Sequence, residues 1–235
     1  MTPPGDPAPI RGLCSMATRG LLDELSAAHA ARSGVPVSFL AVGGVAAARR
    51  VLAGEPFDVV ALAAEAIDRL VAAGRVDAPG RIDLARSGVG VAVGAASPLP
   101  DIASGAALRE AVRAAARIGY STGPSGVALM ALFERWGLAE ALRERLVQAP
   151  PGVPVAALVA RGEVDLGFQQ LGELTGVDGV RLVGPLPPDV QIQTVFAAAP
   201  ATGGAASPAA VRDLLGFLAS PAAADAKRRH GLAPA

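Results

Sequence analysis

Residues 117–138 read RIGYSTGPSGVALMALFERWGL: a short apolar strand, a corner rich in glycine and hydroxyls, then an amphipathic helix. Val127, Met130 and Phe133, with Leu129, Leu132 and Trp136, recur at helical spacing. Ser125 stands where an N-cap belongs, and Gly137 ends the helix. The corner itself, Ser121-Thr122-Gly123-Pro124-Ser125-Gly126, carries no charge. Whatever it holds must be met by hydroxyls and by main-chain N–H groups, which at a helix start lack intrahelical partners and carry the positive end of the macrodipole. Those are tools for a carboxylate or an oxyanion. Taken alone, the corner is equally well an ordinary turn in which Gly and Ser do local work, so the rest of the chain has to decide.

Working outward, strand and helix signals alternate on both sides of this corner. Ile10 to Ser15 reads as a strand, about Ala17 to Arg32 as a helix with Leu21, Leu22, Leu25 and Ala28 inward, and Val35 to Val42 as a strand running into Gly43-Gly44. A helix over Val45–Ala53, a buried strand over Phe57–Leu62 and a helix over Glu65–Ala73 follow. Helices are expected over Ala106–Ala116, Glu140–Val147 and Val155–Arg161, with a strand over Val164–Phe168 and terminal helices over Pro208–Leu218 and Ala222–Arg229. This order predicts an α/β fold with parallel strands.

Two uncharged segments interrupt the pattern, SGVGVAVG at 87–94 and VQIQTVFA at 190–197. Read as crossing strands, they divide the chain into a first lobe, 1–88 with 190–235, and a second, 98–188, with 89–97 and 190–197 passing between them as a hinge. A weak echo supports two lobes: residues 50–60 and 158–168 share one design of helix end, Gly-Glu, Asp and apolar strand. The expected ligand site is then the cleft where strand ends and helix N-termini of both lobes converge.

Composition bounds what that ligand is. Hydrophobic residues make up 51% of 235, enough for a sizeable core, while aromatics at 3% argue against a base-stacking nucleic-acid surface. Twenty-one basic residues balance twenty-one acidic ones, so no global field draws DNA or a membrane. Cys14 is the single cysteine and His29 and His230 the two histidines, which excludes an internal disulfide and a His/Cys zinc site. No metal and no cofactor is expected, and Cys14 reads as a buried, inert thiol. The run from Val190 to Val211 is uncharged but broken by Pro200, Gly203, Gly204 and Pro208, so no membrane insertion is expected. The start, MTPPGDPAPIRG, has no basic-then-apolar leader, and Arg11 three residues before Cys14 spoils a lipoprotein reading.

Four strand-to-helix corners share the same uncharged chemistry: Ser15-Met16-Ala17-Thr18, Val42-Gly43-Gly44-Val45, Ser121 to Gly126, and Pro151-Gly152-Val153-Pro154. Together they suit a small anion. Arg19 offers a charged fork for a carboxylate, or is a solvated surface arginine. Gln169 and Gln170, placed after the strand ending at Phe168, offer paired amides to a polar ligand, or cap the loop to Leu174.

The order of corners, the phrase VLAGEPFDVV at 51–60, the Pro-Ser-Gly before Val127 and the helix end LFERWGL at 132–138 resemble the bacterial molybdate-binding protein family, type II periplasmic solute-binding proteins that feed ABC transporters. The likeness spans nearly the whole chain. It implies two α/β lobes joined by two strands, a tetrahedral oxyanion held by hydroxyls and backbone amides, membrane subunits of an ABC transporter as partners, and a periplasmic location, although the absent leader leaves a cytoplasmic one open. Carried over residue by residue, Ser15 matches the family's serine after the first strand, and Ser125 falls in its Pro-Ala-Gly corner. Gly43 stands where the family has its second ligand serine, and Gln170 roughly where it has a tyrosine.

The pairing of GFQQL at 167–171 with VGPLP at 183–187 and a following Gln191 is also similar to the branch of the superfamily that includes bacterial aconitate isomerases, which move a proton across an allylic tricarboxylate. That chemistry needs a general base. Tyr120, Asp58 and Glu55 lie near the corners, but Asp58 and Glu55 read as structural and a tyrosine has a high unperturbed pKa. The sequence therefore puts binding ahead of catalysis. A third class, the sensing domain of a transcription regulator, would share the fold, yet no helix-turn-helix or basic face precedes the first strand, so no nucleic-acid partner is expected.

Overall fold

The computed structural model describes residues 8–235. The expectation that no leader segment is present rests on residues 1–7 and so lies largely outside the described residues. Along the chain run β1 (Ile10–Ser15), a 3-10 turn (Met16–Thr18), α1 (Arg19–Ser33), β2 (Val37–Val42), α2 (Gly44–Leu52), β3 (Val59–Ala63), α3 (Ala64–Ala72) and β4 (Ile82–Gly94). Next come α4 (Gly105–Ala114), β5 (Ile118–Tyr120), α5 (Pro124–Arg135), α6 (Ala139–Leu142), β6 (Leu146–Gln148), α7 (Val155–Ala160), β7 (Leu166–Gln170), α8 (Leu171–Leu174) and β8 (Val180–Pro185). The chain closes with β9 (Gln193–Pro200), α9 (Pro208–Ala219), α10 (Ala224–Arg229) and β10 (Ala233–Pro234).

The chain divides into two compact units. Unit 1 comprises the described residues up to Arg86 with Val195–Ala235, and unit 2 comprises Ser87–Thr194. β4 leaves unit 1 between Arg86 and Ser87, and β9 returns to it between Thr194 and Val195. The first crossing strand begins at Ile82 rather than at Ser87, because the charged residues Asp83 and Arg86 fall on its exposed positions while Leu84 and Ala85 are buried.

In unit 1, β2, β1 and β3 are parallel, with Ser15 opposite Val42 and Cys14 opposite Ala61, and β9 runs antiparallel beside β3. Strand side chains alternate between two cores. Ile10, Cys14, Val59, Ala61, Phe196 and Ala198 meet α1 and α9, while Leu13, Val60, Leu62, Ala197 and Ala199 meet α2 and α3. Burial pushes the Cys14 thiol up to about 12, which keeps it in its unreactive form. On α1 the inward residue past Leu25 is His29 rather than Ala28. His29 is fully buried, with Nε2 2.9 Å from Asp213 Oδ2 of α9.

In unit 2, β5 pairs in parallel with β6 on one side and β7 on the other, and β4 pairs antiparallel with β7 and β8. The core joins Val89, Val91 and Val93 of β4 to Leu129, Leu132 and Phe133 of α5 and Phe168 of β7. Gly90 has a clear reason: a Cβ there would lie 2.6 Å from Leu171 Cδ2, so α8 packs down only because the strand carries no side chain at that point.

Three expectations are corrected here. The helix predicted over Glu140–Val147 is a single turn, Ala139–Leu142, followed by a 3-10 turn and the strand β6. Strand β7 runs on to Gln170, so Gln169 and Gln170 are its last two residues rather than loop residues. Val127 does not belong to the inward stripe of α5: it is 69% exposed.

Candidate strand-end binding site

In unit 1 the parallel strands end side by side, and each end is followed at once by a turn or helix. Ser15, the last residue of β1, is buried, and its Oγ lies 3.4 Å from Thr18 Oγ1 while Thr18 Oγ1 donates to the Ser15 carbonyl at 3.2 Å. Ser15, Met16 and Ala17 thereby form one tight corner. The end of β2 is in register with it, and a Cβ built on Gly44 would lie 3.9 Å from Ser15 Cβ, so the first and second corners adjoin. Gly43 is the N-cap of α2 and no side chain caps that helix; the first internal bond is Ala47 N–H to the Gly43 carbonyl, 2.9 Å. The N–H groups of Gly44, Val45 and Ala46 are left for an outside acceptor. Arg19 takes the other of its two readings. It is exposed and pairs with Asp23 one turn along, Nε to Oδ2 3.6 Å.

In unit 2 the corner after β5 is built differently from the sequence expectation. The N-cap of α5 is Gly123, with Pro124 in the first helical position and Ser125 inside the first turn. Proline is at home there because its ring presets φ and it has no N–H to lose. The N–H groups of Gly126 and Val127 both go to the Gly123 carbonyl, at 3.0 and 3.2 Å. The Ser125 N–H has no main-chain acceptor among the described residues. Ser125 Oγ sits 3.2 Å from Ser121 Oγ, which ties strand end to helix start. A Cβ on Gly126 would fall 1.9 Å from the Ser121 carbonyl oxygen, so only glycine lets the helix begin this close. Thr122 is exposed and makes no part of this pair.

The fourth corner contributes less than expected. Gly152 (φ 82°) and Val153 lead into α7, a helix of six residues. Its Ala156 N–H is already taken by Gln169 Oε1 at 3.3 Å. The two glutamines accordingly part ways. Gln169 turns toward α7 and also donates from Nε2 to Glu173 Oε1 at 2.8 Å. Gln170 lies on the same side of β7 as Phe168, which packs edge-on against Phe133 of α5. Its Nε2 donates to Thr194 Oγ1 at 2.7 Å, and its buried Oε1 has no partner among the described residues.

Glu173 is the residue that sequence reading missed. It is half-buried on α8, immediately beyond the strand end, and burial pushes its carboxyl up to about 7 against the opposing pull of the Gln169 hydrogen bond. The only sequence signal was its spacing, four residues after Gln169 across a strand-to-helix junction.

Of the candidate bases read from the sequence, Asp58 and Glu55 are occupied, while Tyr120 ends β5, partly buried against the unit 2 core. Asp58 accepts from three main-chain N–H groups, those of Arg11, Ala205 and Ala206, each at 2.7 Å. Glu55 forms a two-pronged exposed pair with Arg50, which holds its carboxyl below the usual range. Gln191 is also structural: its Oε1 accepts from Val89 and Ile192, and its Nε2 donates to the Leu186 carbonyl. Among the described residues no group of His, Cys, Asp and Glu is placed to hold a metal ion.

Two α/β units, each built on parallel strands and joined by two crossing strands, define the type II class of periplasmic binding proteins, and solved structures of that class superpose on nearly the whole chain. They include the periplasmic molybdate-binding protein of Azotobacter vinelandii, with TM-score 0.79 and 20% identity over 95% of this chain and 98% of that one. A second is the substrate-binding domain of a putative molybdenum ABC transporter from Clostridium difficile, with TM-score 0.74 and 14% identity over 97% and 99%. The chain belongs to the bacterial extracellular solute-binding protein family, whose model matches residues 10–233. In sequence it is 36% identical over 228 residues to an aconitate isomerase of Pseudomonas sp., covering 94% of this chain and 86% of that protein. Both resemblances read from the sequence are therefore borne out. Among the described residues no helix is long and apolar enough to cross a membrane.

Proposed function

We propose that this protein binds a small unsaturated polycarboxylate of the aconitate type and shifts its double bond by proton transfer. The observation that carries the reading is the 36% identity to an aconitate isomerase along 94% of the chain, since fold likeness at 14–20% identity speaks to architecture and not to chemistry. The corners are suited to such a ligand. Each unit by itself offers donors for a carboxylate, in unit 1 the free N–H groups of α2 and Ser15 with Met16 and Ala17, in unit 2 the Ser125 N–H and hydroxyl, with dipoles in place of a charged cluster.

Proton NMR of cis- or trans-aconitate incubated with the protein tests this directly. Interconversion of the two isomers is the expected result. Unchanged spectra at protein concentrations that bind the ligand would reduce the function to binding alone.

A second reading, an oxyanion-binding component outside the cytoplasmic membrane that serves the membrane subunits of an ABC transporter, draws on the molybdate-binding neighbour at TM-score 0.79. Under it, molybdate rather than aconitate raises the melting temperature.

A further inference from the structure

We infer that Glu173 is the general base of this isomerisation and that Gln169 is its positioning residue. The inference rests on the isomerase reading above and supplies the group that the sequence lacked. Three features of the geometry carry it.

First, Glu173 has one oxygen held and one free. Oε1 accepts from Gln169 Nε2 at 2.8 Å, whereas Oε2 has no donor among the described residues and is not shut away from solvent. A base needs this division: an anchored oxygen to fix the direction of the carboxyl, and an open one to receive the proton. Second, Gln169 is itself fixed at its other end, because its Oε1 accepts the Ala156 N–H of α7 at 3.3 Å. The amide therefore cannot swing without uncapping that helix. Third, the pair sits where β7 ends, next to the end of β5 and its Ser121–Ser125 corner, so base and anion donors share one edge of the unit 2 sheet.

Among the described residues nothing charged is paired with the carboxyl. β7, α7 and the adjoining stretch of β4, Val89–Gly94, carry no ionisable side chain, and α8 carries none but Glu173 itself. Arg181 of β8 is directed to the Ser97 carbonyl instead. Its surroundings, not a neighbouring ion, bring Glu173 to about 7, where carboxylate and acid are both populated near neutral pH.

The step balances without any further reactant. Glu173 Oε2 takes one proton from the allylic CH2 of the ligand, and the C–H electron pair spreads over the three-carbon allyl system and the adjoining carboxylate. The acid so formed returns a proton to the far allylic carbon, the double bond settles between the other two carbons, and Glu173 is again a carboxylate.

The test uses the intact protein in D2O with cis-aconitate, read by NMR for deuterium entering the CH2 and for trans product. Glu173→Gln is expected to slow both by about 100-fold or more, with the dissociation constant for aconitate changed less than about threefold. Glu173→Asp should keep part of the rate. Gln169→Leu removes the bond that favours the carboxylate, so the acid limb of kcat/KM should move to higher pH, which a merely structural glutamine would not cause. E173Q exchanging as fast as the parent, or an unmoved limb in Q169L, overturns the inference while the isomerase reading stands. A parent protein that binds aconitate without exchanging deuterium overturns both the base and the reaction, and one that binds no aconitate overturns the ligand as well.

Discussion

Asp58 and Ser125 are both small, polar and at least nine-tenths buried, and they do opposite work. Asp58 spends its oxygens on the N–H groups of Arg11, Ala205 and Ala206. Asp58→Ala removes the shared acceptor of three part-buried main-chain donors, a cost on the order of 3 kcal/mol, so its thermal midpoint should fall by several degrees with no specific effect on ligand. Among the described residues Ser125 Oγ has only the Ser121 hydroxyl as a partner, so Ser125→Ala should leave the melting temperature of the free protein unchanged within about one degree. It should weaken aconitate binding by about tenfold, one charge-assisted hydrogen bond's worth; equal affinity by calorimetry removes Ser125 from the site. Ser125 was legible as a candidate because hydroxyls and glycines at a strand-to-helix corner suit an anion, although they serve an ordinary turn equally well. Glu173 was not, since its character comes from burial in the folded unit and from the Gln169 amide at the end of β7, and a glutamate in a short polar-flanked segment reads as solvent-facing. That burial has its own signature. Unfolded, Glu173 titrates near 4.5; folded, near 7. Because the folded value is raised, the stability it contributes is present below about 4.5 and is lost as the pH climbs through 7. E173Q stays neutral throughout, so its melting temperature relative to the parent should rise from pH 5 to pH 8, and a constant difference would mean the carboxyl is not buried.

Among the elements, α5 shows how local chemistry set the register of a site. The sequence placed the N-cap at Ser125, but Pro124 favours the first helical position and moves the cap back to Gly123, which turns the serine inward against Ser121. Gly126 then has to lie against the Ser121 carbonyl. Gly126→Ala introduces a methyl at 1.9 Å from that oxygen, forcing the corner apart. Both stability and anion affinity should drop together, by circular-dichroism melting and titration respectively, in contrast to Ser125→Ala, which separates them. The long elements were legible from periodicity: β1, α1, α5 and α9 all fall within a few residues of expectation. β6 was not. Three residues are too few to display a period of two, and Ala139–Val147 carries the leucine spacing of a helix that in fact stops after one turn. β4 extends five residues before Ser87 with the buried pair Leu84 and Ala85 set between the exposed charges Asp83 and Arg86, a pattern that a search for apolar runs passes over.

At the scale of the whole molecule, the proposed recognition by dipoles predicts how binding responds to salt. The chain carries 21 basic and 21 acidic residues and so has no net formal charge. The one arginine proposed for the site, Arg19, is exposed and paired with Asp23. A multiply charged carboxylate approaching such a protein is not drawn by a long-range field, and the contacts proposed to hold it are short N–H and O–H bonds. Salt screens charges over a Debye length of about 10 Å at 0.1 M but acts weakly on donors that close directly on the ligand. The dissociation constant for cis-aconitate should therefore change less than about threefold between 50 and 300 mM sodium chloride, when measured by calorimetry at constant pH. A site built on clustered arginines or lysines would lose affinity steeply over the same range, since each screened ion pair adds to the slope. A steep dependence here would mean that cations outside the strand-end corners neutralise the ligand, and the proposal that uncharged corner donors hold it would have to be given up.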